Sequence, residues 1–142
     1  MAFVTVVVAA EEDECASVGD SIQPLNEWSG VELPGVDIPK IATLHCLLTG
    51  DLLDGALDAY EPVYVSENNA IVLRIADAMV EKLASLDEDA LEAITAELVA
   101  TECFEDEQWD TEDVLDMLNE LAELAQLAES QGQTLFVWMR FE

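Results

Sequence analysis

Residues 110–132 read DTEDVLDMLNELAELAQLAESQG, and residues 133–142 read QTLFVWMRFE. Val114, Met117, Leu118, Leu121, Leu124, Ala125 and Ala128 recur at helical spacing, which predicts one long helix with a single apolar face. Asp110 or Thr111 suits its N-cap, and Glu112 and Asp113 suit the positive end of its dipole. Gly132 supplies the left-handed residue that ends it. At ~1.5 Å per residue the helix is about 30 Å long, the width of a small domain, and lines one side of a core. The apolar run Leu135–Phe141 that follows is a strand.

That strand needs a partner, and the near-continuous apolar run Phe3–Ala9 provides one, reading as a strand buried on both faces. Its β-branched residues and the lack of a basic leader distinguish it from a signal peptide. Glu11–Glu14 is a solvated acidic loop or the opening of a short helix. Residues 19–39, with Gly19, Pro24, Gly30, Pro34, Gly35 and Pro39, read as an irregular connection holding one helical turn near Leu25–Trp28, with Trp28 packing it onto the core. Residues 37–50, DIPKIATLHCLLTG, form a helix capped by Asp37, with Pro39 in its first turn and Gly50 at its end. Asp51–Tyr60 is turn-like around Asp54-Gly55, and residues 61–65 are extended. Ser66 caps a second long helix running to about Ser85, and Asp87 caps a third carrying Leu91, Ile94 and Leu98 inward. Residues 101–109, TECFEDEQW, form an acidic loop. The expectation is a single α+β domain over residues 1–142, a small sheet containing the first and last strands packed by about three to four helices.

Composition bounds the function. Hydrophobic residues make up 51% of the chain, too many for an acidic disordered tail. Against 32 Asp and Glu stand Lys40, Arg74, Lys82 and Arg140, for a formal net charge of -28. Such a field repels phosphate and anionic lipid, which argues against direct nucleic-acid or membrane-surface binding, and no apolar run is long enough to span a bilayer. It suits a basic protein partner or a saline environment. Cys15, Cys46 and Cys103 lack disulfide or zinc spacing, Cys46 lies in an apolar run that suits the core, and a reducing cytoplasm fits them best.

The segment DIPKIATLHCLLTG, followed by VYVSENNAIVLRIADAMVEKLASLDEDAL, a loop containing Trp109, a long helix and a closing GQTLFVWM strand, resembles the YfbM-like family of uncharacterised bacterial domains. The resemblance spans residues 37–142 and is most specific at Leu44-His45, Leu48-Thr49-Gly50. It departs from the family at Ile41, where a tryptophan is usual four residues before the histidine. It implies helices packed on a small sheet, and no activity or catalytic residue.

Chemical motifs are sparse. His45 is the only histidine and sits beside Leu44 and Leu48, the setting of a packed helix residue, so a small-molecule site at His45 is the alternative rather than the first reading. No nucleophile elbow, phosphate loop or dinucleotide fingerprint occurs, and no cofactor is implied. Glu102, Glu105, Asp106, Glu107 and Asp110 are oxygen ligands of the kind calcium and magnesium take, but they lack the spacing and the glycine of a calcium loop, so no metal site is assigned.

The constellation that remains is electrostatic. Residues 102–110 run directly into the outer face of the long helix, where Glu112, Asp116 and Glu120 cluster with Glu123, and Asp113 lies at the edge. Like charges four apart oppose the helix by ~0.2–0.5 kcal/mol per pair, a cost that a surface built only for stability avoids. An aromatic inside a charged rim is a common way to build an interface, and Phe104 and Trp109 have that position; the plainer reading is that both fold inward and fix the loop. The candidate partner-binding residues are therefore Glu102, Glu105, Asp106, Glu107, Trp109, Asp110, Glu112, Asp113, Asp116 and Glu120. The function they suggest is a non-enzymatic binding protein that masks a basic partner, a toxin or a nucleic-acid-handling enzyme, in the manner of an immunity protein, an anti-defence inhibitor or a nucleic-acid mimic. The alternative is a YfbM-like small-molecule-binding or enzymatic domain whose acidity is salt adaptation.

Overall fold

The structure is a computed structural model that describes residues 3–21, 23–33, 35–67 and 69–141. Strand β1 (Phe3–Ala10) leads through a 3₁₀ turn (Glu12–Glu14) into helix α1 (Cys15–Asp20), and a second such turn (Pro24–Asn26) precedes β2 (Ser29–Glu32). Helices α2 (Ile38–Thr49) and α3 (Leu53–Ala59), strands β3 (Tyr64–Val65) and β4 (Ala70–Arg74), and helices α4 (Asp77–Ser85), α5 (Glu88–Val99), α6 (Glu102–Glu105) and α7 (Thr111–Gln131) follow, and β5 (Thr134–Phe141) comes last. The strands form one five-stranded sheet in the order β2-β1-β5-β4-β3, antiparallel at every pairing. The expected α+β architecture, with the first and last strands in one small sheet, is the one observed.

Both faces of the sheet are covered, which is why β1 lacks the alternation of a half-exposed strand. Val7, Ala9, Leu135, Val137 and Met139 face the larger core, shared with α2, α4, α5 and α7. Val6, Val8, Phe136 and Trp138 face a second cluster closed by Val18 of α1, with Trp28 and Tyr64 at its margin. Trp28 thus holds the 23–28 segment to the sheet as expected, and its Nε1 donates to Glu14 Oε2 at 3.2 Å. A Cβ at Gly19 would lie 2.3 Å from a Tyr64 ring carbon, so only glycine lets α1 lie this close to β3.

Helix boundaries follow the expected chemistry. The Asp37 carboxylate accepts the Lys40 N–H at 3.1 Å, and Asp87 accepts the Ala90 N–H at 2.8 Å. Gly50 (φ 82°) and Gly132 (φ 68°) are the left-handed ends of α2 and α7. Asp110 is the N-cap residue of α7 by position, without a side-chain cap bond.

Five expectations need correction, the briefest being the acidic loop of residues 101–109, where Glu102–Glu105 forms the single helical turn α6. Residues 66–85 are not one helix: Ala70–Arg74 is a strand and α4 begins only at Asp77. A short apolar run buried on both faces fits either period, and Val72 and Leu73, pointing to opposite clusters, show that the sheet won. Asn69, in the left-handed region at φ 65°, belongs to the turn that returns the chain from β3 into β4. Asp51–Tyr60 is not a turn around Gly55, because α3 is held by buried Ala56 at its middle and buried Tyr60 just past its end, against a low intrinsic propensity. The irregular connection of residues 19–39 contains an edge strand, β2, whose Gly30 lies so near β1 that a Cβ there would meet the Val7 carbonyl oxygen at 2.3 Å. Cys46 is only half-buried, packed against the core from its edge, and its thiol is free. The side chain of Cys103 lies outside the described residues.

Leu118 of α7 is fully buried in the larger core. Leu118→Ala is expected to destabilise the fold by ~2–5 kcal/mol, read as a lower denaturant midpoint at unchanged slope.

Candidate functional site

The start of α7, the segment 107–110 and the link from β2 to α2 enclose an open cleft of about 470 Å³. Leu33, Val36, Trp109 and Met117 supply its apolar surface, and Glu32, Glu107, Asp110, Asp113, Asp116 and Glu120 supply carboxylates around it. Helical spacing explains part of this: Asp113, Asp116 and Glu120 stand three and four apart, on one flank of α7 beside the buried Met117. The remaining carboxylates arrive from two loops, which sequence periodicity cannot join.

One cation organises the near wall. Lys40, in the first turn of α2, is 2% exposed, and its Nζ is paired with Glu107 and lies 3.5 Å from Asp37 Oδ2. Its ammonium lies 5.9 Å from the Phe104 ring centroid, and the buried Phe104 ring meets Trp109 edge-on at 5.2 Å. The chain turns at Gln108 through the left-handed region (φ 58°), and the Trp109 N–H returns to the Phe104 carbonyl at 3.2 Å. Trp109 is therefore both the half-buried brace of its loop and a wall of the cleft. Lys40 draws Glu107 inward, so Glu107 is committed to structure as well as to the cleft's charge.

The structure brings together Glu107, Trp109, Asp110, Asp113, Asp116 and Glu120 of the residues expected from sequence. Glu102 and Asp106 instead border a second, more apolar cleft of about 620 Å³, with Cys46, Leu47, Leu52 and Leu57. Glu105 and Glu112 are exposed outside both. Glu32 and Gln108 were not expected. Glu32 sits on the overlooked edge strand, and its only sequence signal was an acid between Val31 and Leu33 in a Gly/Pro-rich stretch.

The acidic field is not confined to the cleft. Exposed carboxylates also cover α5 at Glu88, Asp89, Glu92 and Glu97, and α3 and α4 at Asp54, Asp58, Asp77 and Glu81. What sets the cleft apart from those helix surfaces is apolar surface among its acids, and it carries more acids than the second cleft, which has Asp51, Glu102 and Asp106. Among the described residues, no group of three or more His, Cys, Asp or Glu side chains is arranged to hold a metal ion. No helix among them is long and apolar enough to cross a membrane.

His45 is packed rather than presented. It is 3% exposed, with Nε2 2.7 Å from Asp51 Oδ2 and Nδ1 2.9 Å from the Tyr60 hydroxyl, which lies 3.2 Å from Met79 Sδ. The Asp51 carboxylate only accepts, so a neutral ring carries its proton on Nε2 and accepts from Tyr60 at Nδ1. The second cleft reaches Asp51 and Cys46 but stops short of the imidazole. Burial, with a smaller push from the Asp51 charge, raises the Cys46 thiol, the opposite of an activated nucleophile. The bond from His45 holds the Asp51 carboxyl below its ordinary value, and burial pushes Tyr60 up to about 12.

No family model, curated protein or solved structure matches the chain. The site is therefore defined by its own geometry.

The tyrosines report on this packing. Tyr64 donates to Asp20 at 2.7 Å, which raises it as well. Spectrophotometric titration of the folded protein is expected to show less tyrosinate at pH 10.0, the ordinary value, than the unfolded chain does, and Tyr60 ionising near 12. Above the ordinary value the unfolded chain loses this proton while the fold retains it. Stability therefore falls as pH rises from 10.0 towards 12. Tyr60 accounts for roughly 2–3 kcal/mol of that loss, a part that Tyr60→Phe removes.

Proposed function

We propose that the protein is a non-enzymatic binding protein whose acidic cleft receives and occludes a basic surface of a partner protein. The observation that supports this most is the placing of Glu107, Asp110, Asp113, Asp116 and Glu120 around Leu33, Val36, Trp109 and Met117, with Glu32 of the edge strand at the rim. Carboxylates alone attract any cation; carboxylates around an apolar surface favour a cation on a hydrocarbon stem, as lysine and arginine side chains are. The long-range field of a chain at -28 steers such a partner in, and the cleft fixes where it lands. A toxin or a nucleic-acid-handling enzyme, whose own site is basic, is the partner class this reading suits, with the protein acting as an immunity protein, an anti-defence inhibitor or a nucleic-acid mimic. Kinship with the YfbM-like domains remains part of the proposal, resting on the order of segments in residues 37–142.

A second reading is favoured by the carboxylates of α3, α4 and α5, which no cleft explains. On that reading the surface-wide acidity is an adaptation to a saline interior. It predicts a fold that is lost at low salt and restored by molar potassium chloride. The first reading concerns the cleft and is tested separately.

Asp110→Asn, Asp113→Asn, Asp116→Asn and Glu120→Gln combined remove four charges from the cleft; Glu88→Gln, Asp89→Asn, Glu92→Gln and Glu97→Gln remove as many from α5. Both variants and the wild type are used to capture proteins from host extract at low and high salt. A basic protein held by the wild type and the α5 variant is expected to be lost from the cleft variant, with association slowed about 10- to 100-fold. Equal retention by both variants sinks the cleft as the binding site.

A further inference from the structure

The cleft does not end at Glu120. A shallower cleft of about 370 Å³, lined by Ser29, Gly30, Val31, Glu123, Leu124 and Leu127, also has Glu120 on its wall. The two share that residue and both run between β2 and α7, so they form one furrow along the outer side of β2. β2 is the edge of the sheet, paired on one side to β1, and among the described residues no strand pairs with its other side.

The ladder fixes which backbone groups face that open side. The Leu33 N–H donates to the Thr5 carbonyl at 2.8 Å, one step beyond the pair Glu32–Val6. In an antiparallel ladder, residues bonded to the partner strand alternate with residues whose N–H and C=O point away. Leu33 and Val31 therefore face β1, and Glu32 and Gly30 turn their backbone donors and acceptors outward to the furrow. Val31 packs towards the larger core, on the same side as α7. A strand laid against β2 would send every second side chain towards that side, where Asp113, Asp116, Glu120 and Glu123 line the α7 flank.

We propose that the partner's basic segment binds as an extended strand added to the free edge of β2, with lysine or arginine at alternate positions facing α7. This rests on the acidic-cleft reading above and specifies how the partner is held. The edge supplies main-chain hydrogen bonds that any extended segment satisfies, and the furrow supplies the selection for cationic side chains at a period of two. The opposite edge, β3, carries exposed Val65, with exposed Val63 just before it, and neither of the two acidic clefts extends to it. β2 itself is only Ser29–Glu32, short enough to avoid promiscuous pairing without a matching charge pattern.

The probe is a labelled peptide of alternating arginine and valine, compared with the same peptide N-methylated on the residues that face β2. Binding is followed by fluorescence anisotropy at low salt, and the amides of Gly30 and Glu32 by hydrogen exchange. The N-methylated peptide is expected to bind about tenfold more weakly, and the two amides to gain protection only with the unmodified peptide. Glu32→Pro removes one outward N–H while leaving the bonds to β1, and is expected to match that loss; Glu32→Gln, which removes only the charge, is expected to lose about two- to threefold. Equal binding of both peptides by the wild type overturns strand addition whatever Glu32→Pro does, and leaves the acidic cleft standing. Retained peptide binding by Asp113→Asn/Asp116→Asn/Glu120→Gln, with the N-methyl effect intact, overturns the acidic reading instead. No binding of the unmodified peptide by the wild type also overturns strand addition, while the capture experiment still judges the cleft.

Discussion

The pairing of β1 with β5 is the constraint on which the rest of the structure depends. It runs from Phe3 against Phe141 to Ala10 against Thr134, an unbroken antiparallel register through the middle of the sheet. These two strands supply the side chains that anchor both cores. Their odd-numbered residues meet the long helices, and their even-numbered residues meet α1 and Trp28. A slip of one residue would exchange the two sets and place Phe136 and Trp138 where Val137 and Met139 now meet α7. The covering of both faces fixes the register. The register places β2 at the edge beside α7, and so shapes the acidic furrow.

Electrostatics works against this arrangement, and the few cations are deployed accordingly. Arg74, at the end of β4, reaches Glu12 at 2.9 Å and Asp77 at 3.0 Å, joining the turn after β1 to the start of α4. Lys40 does the same between α2 and the segment before α7. Each bridges segments distant in sequence, where a mobile chain with like charges would otherwise swing apart. The Arg74 pairs are exposed and individually weak, worth about 0–1 kcal/mol. The Lys40 ammonium is buried, and losing Glu107 would leave it, among the described residues, with the longer contact to Asp37 and the face of the Phe104 ring.

Much of the fold was legible because its signals are local. The period of Val114–Ala128, the caps Asp37 and Asp87, and the stops Gly50 and Gly132 each depend on a few neighbouring residues, and each appears in the structure. The failures came where distant contacts decide. Ala70–Arg74 reads as helix until β5 claims one side of it, and Leu53–Ala59 reads as a turn until Ala56 and Tyr60 find the core. The site divides the same way. Asp113, Asp116 and Glu120 share a helix flank that spacing reveals. Glu32 joins them only through the sheet, and Glu102 and Asp106 leave them because α6 turns their side chains to the other cleft.

The position of β5 also governs how the chain reaches its folded state. This strand lies at the centre of the sheet, yet every other described element precedes it in the chain. Until it emerges from the ribosome, β1 has only the short β2 as a neighbour, and β4 has only the shorter β3. The apolar flanks of α2, α4 and α7 meanwhile have no sheet to settle on. Contacts this remote close slowly, because the intervening loop must give up its entropy before they form. During that interval the acidic coat acts between chains: mutual repulsion opposes the approach of unpaired strands on neighbouring nascent chains.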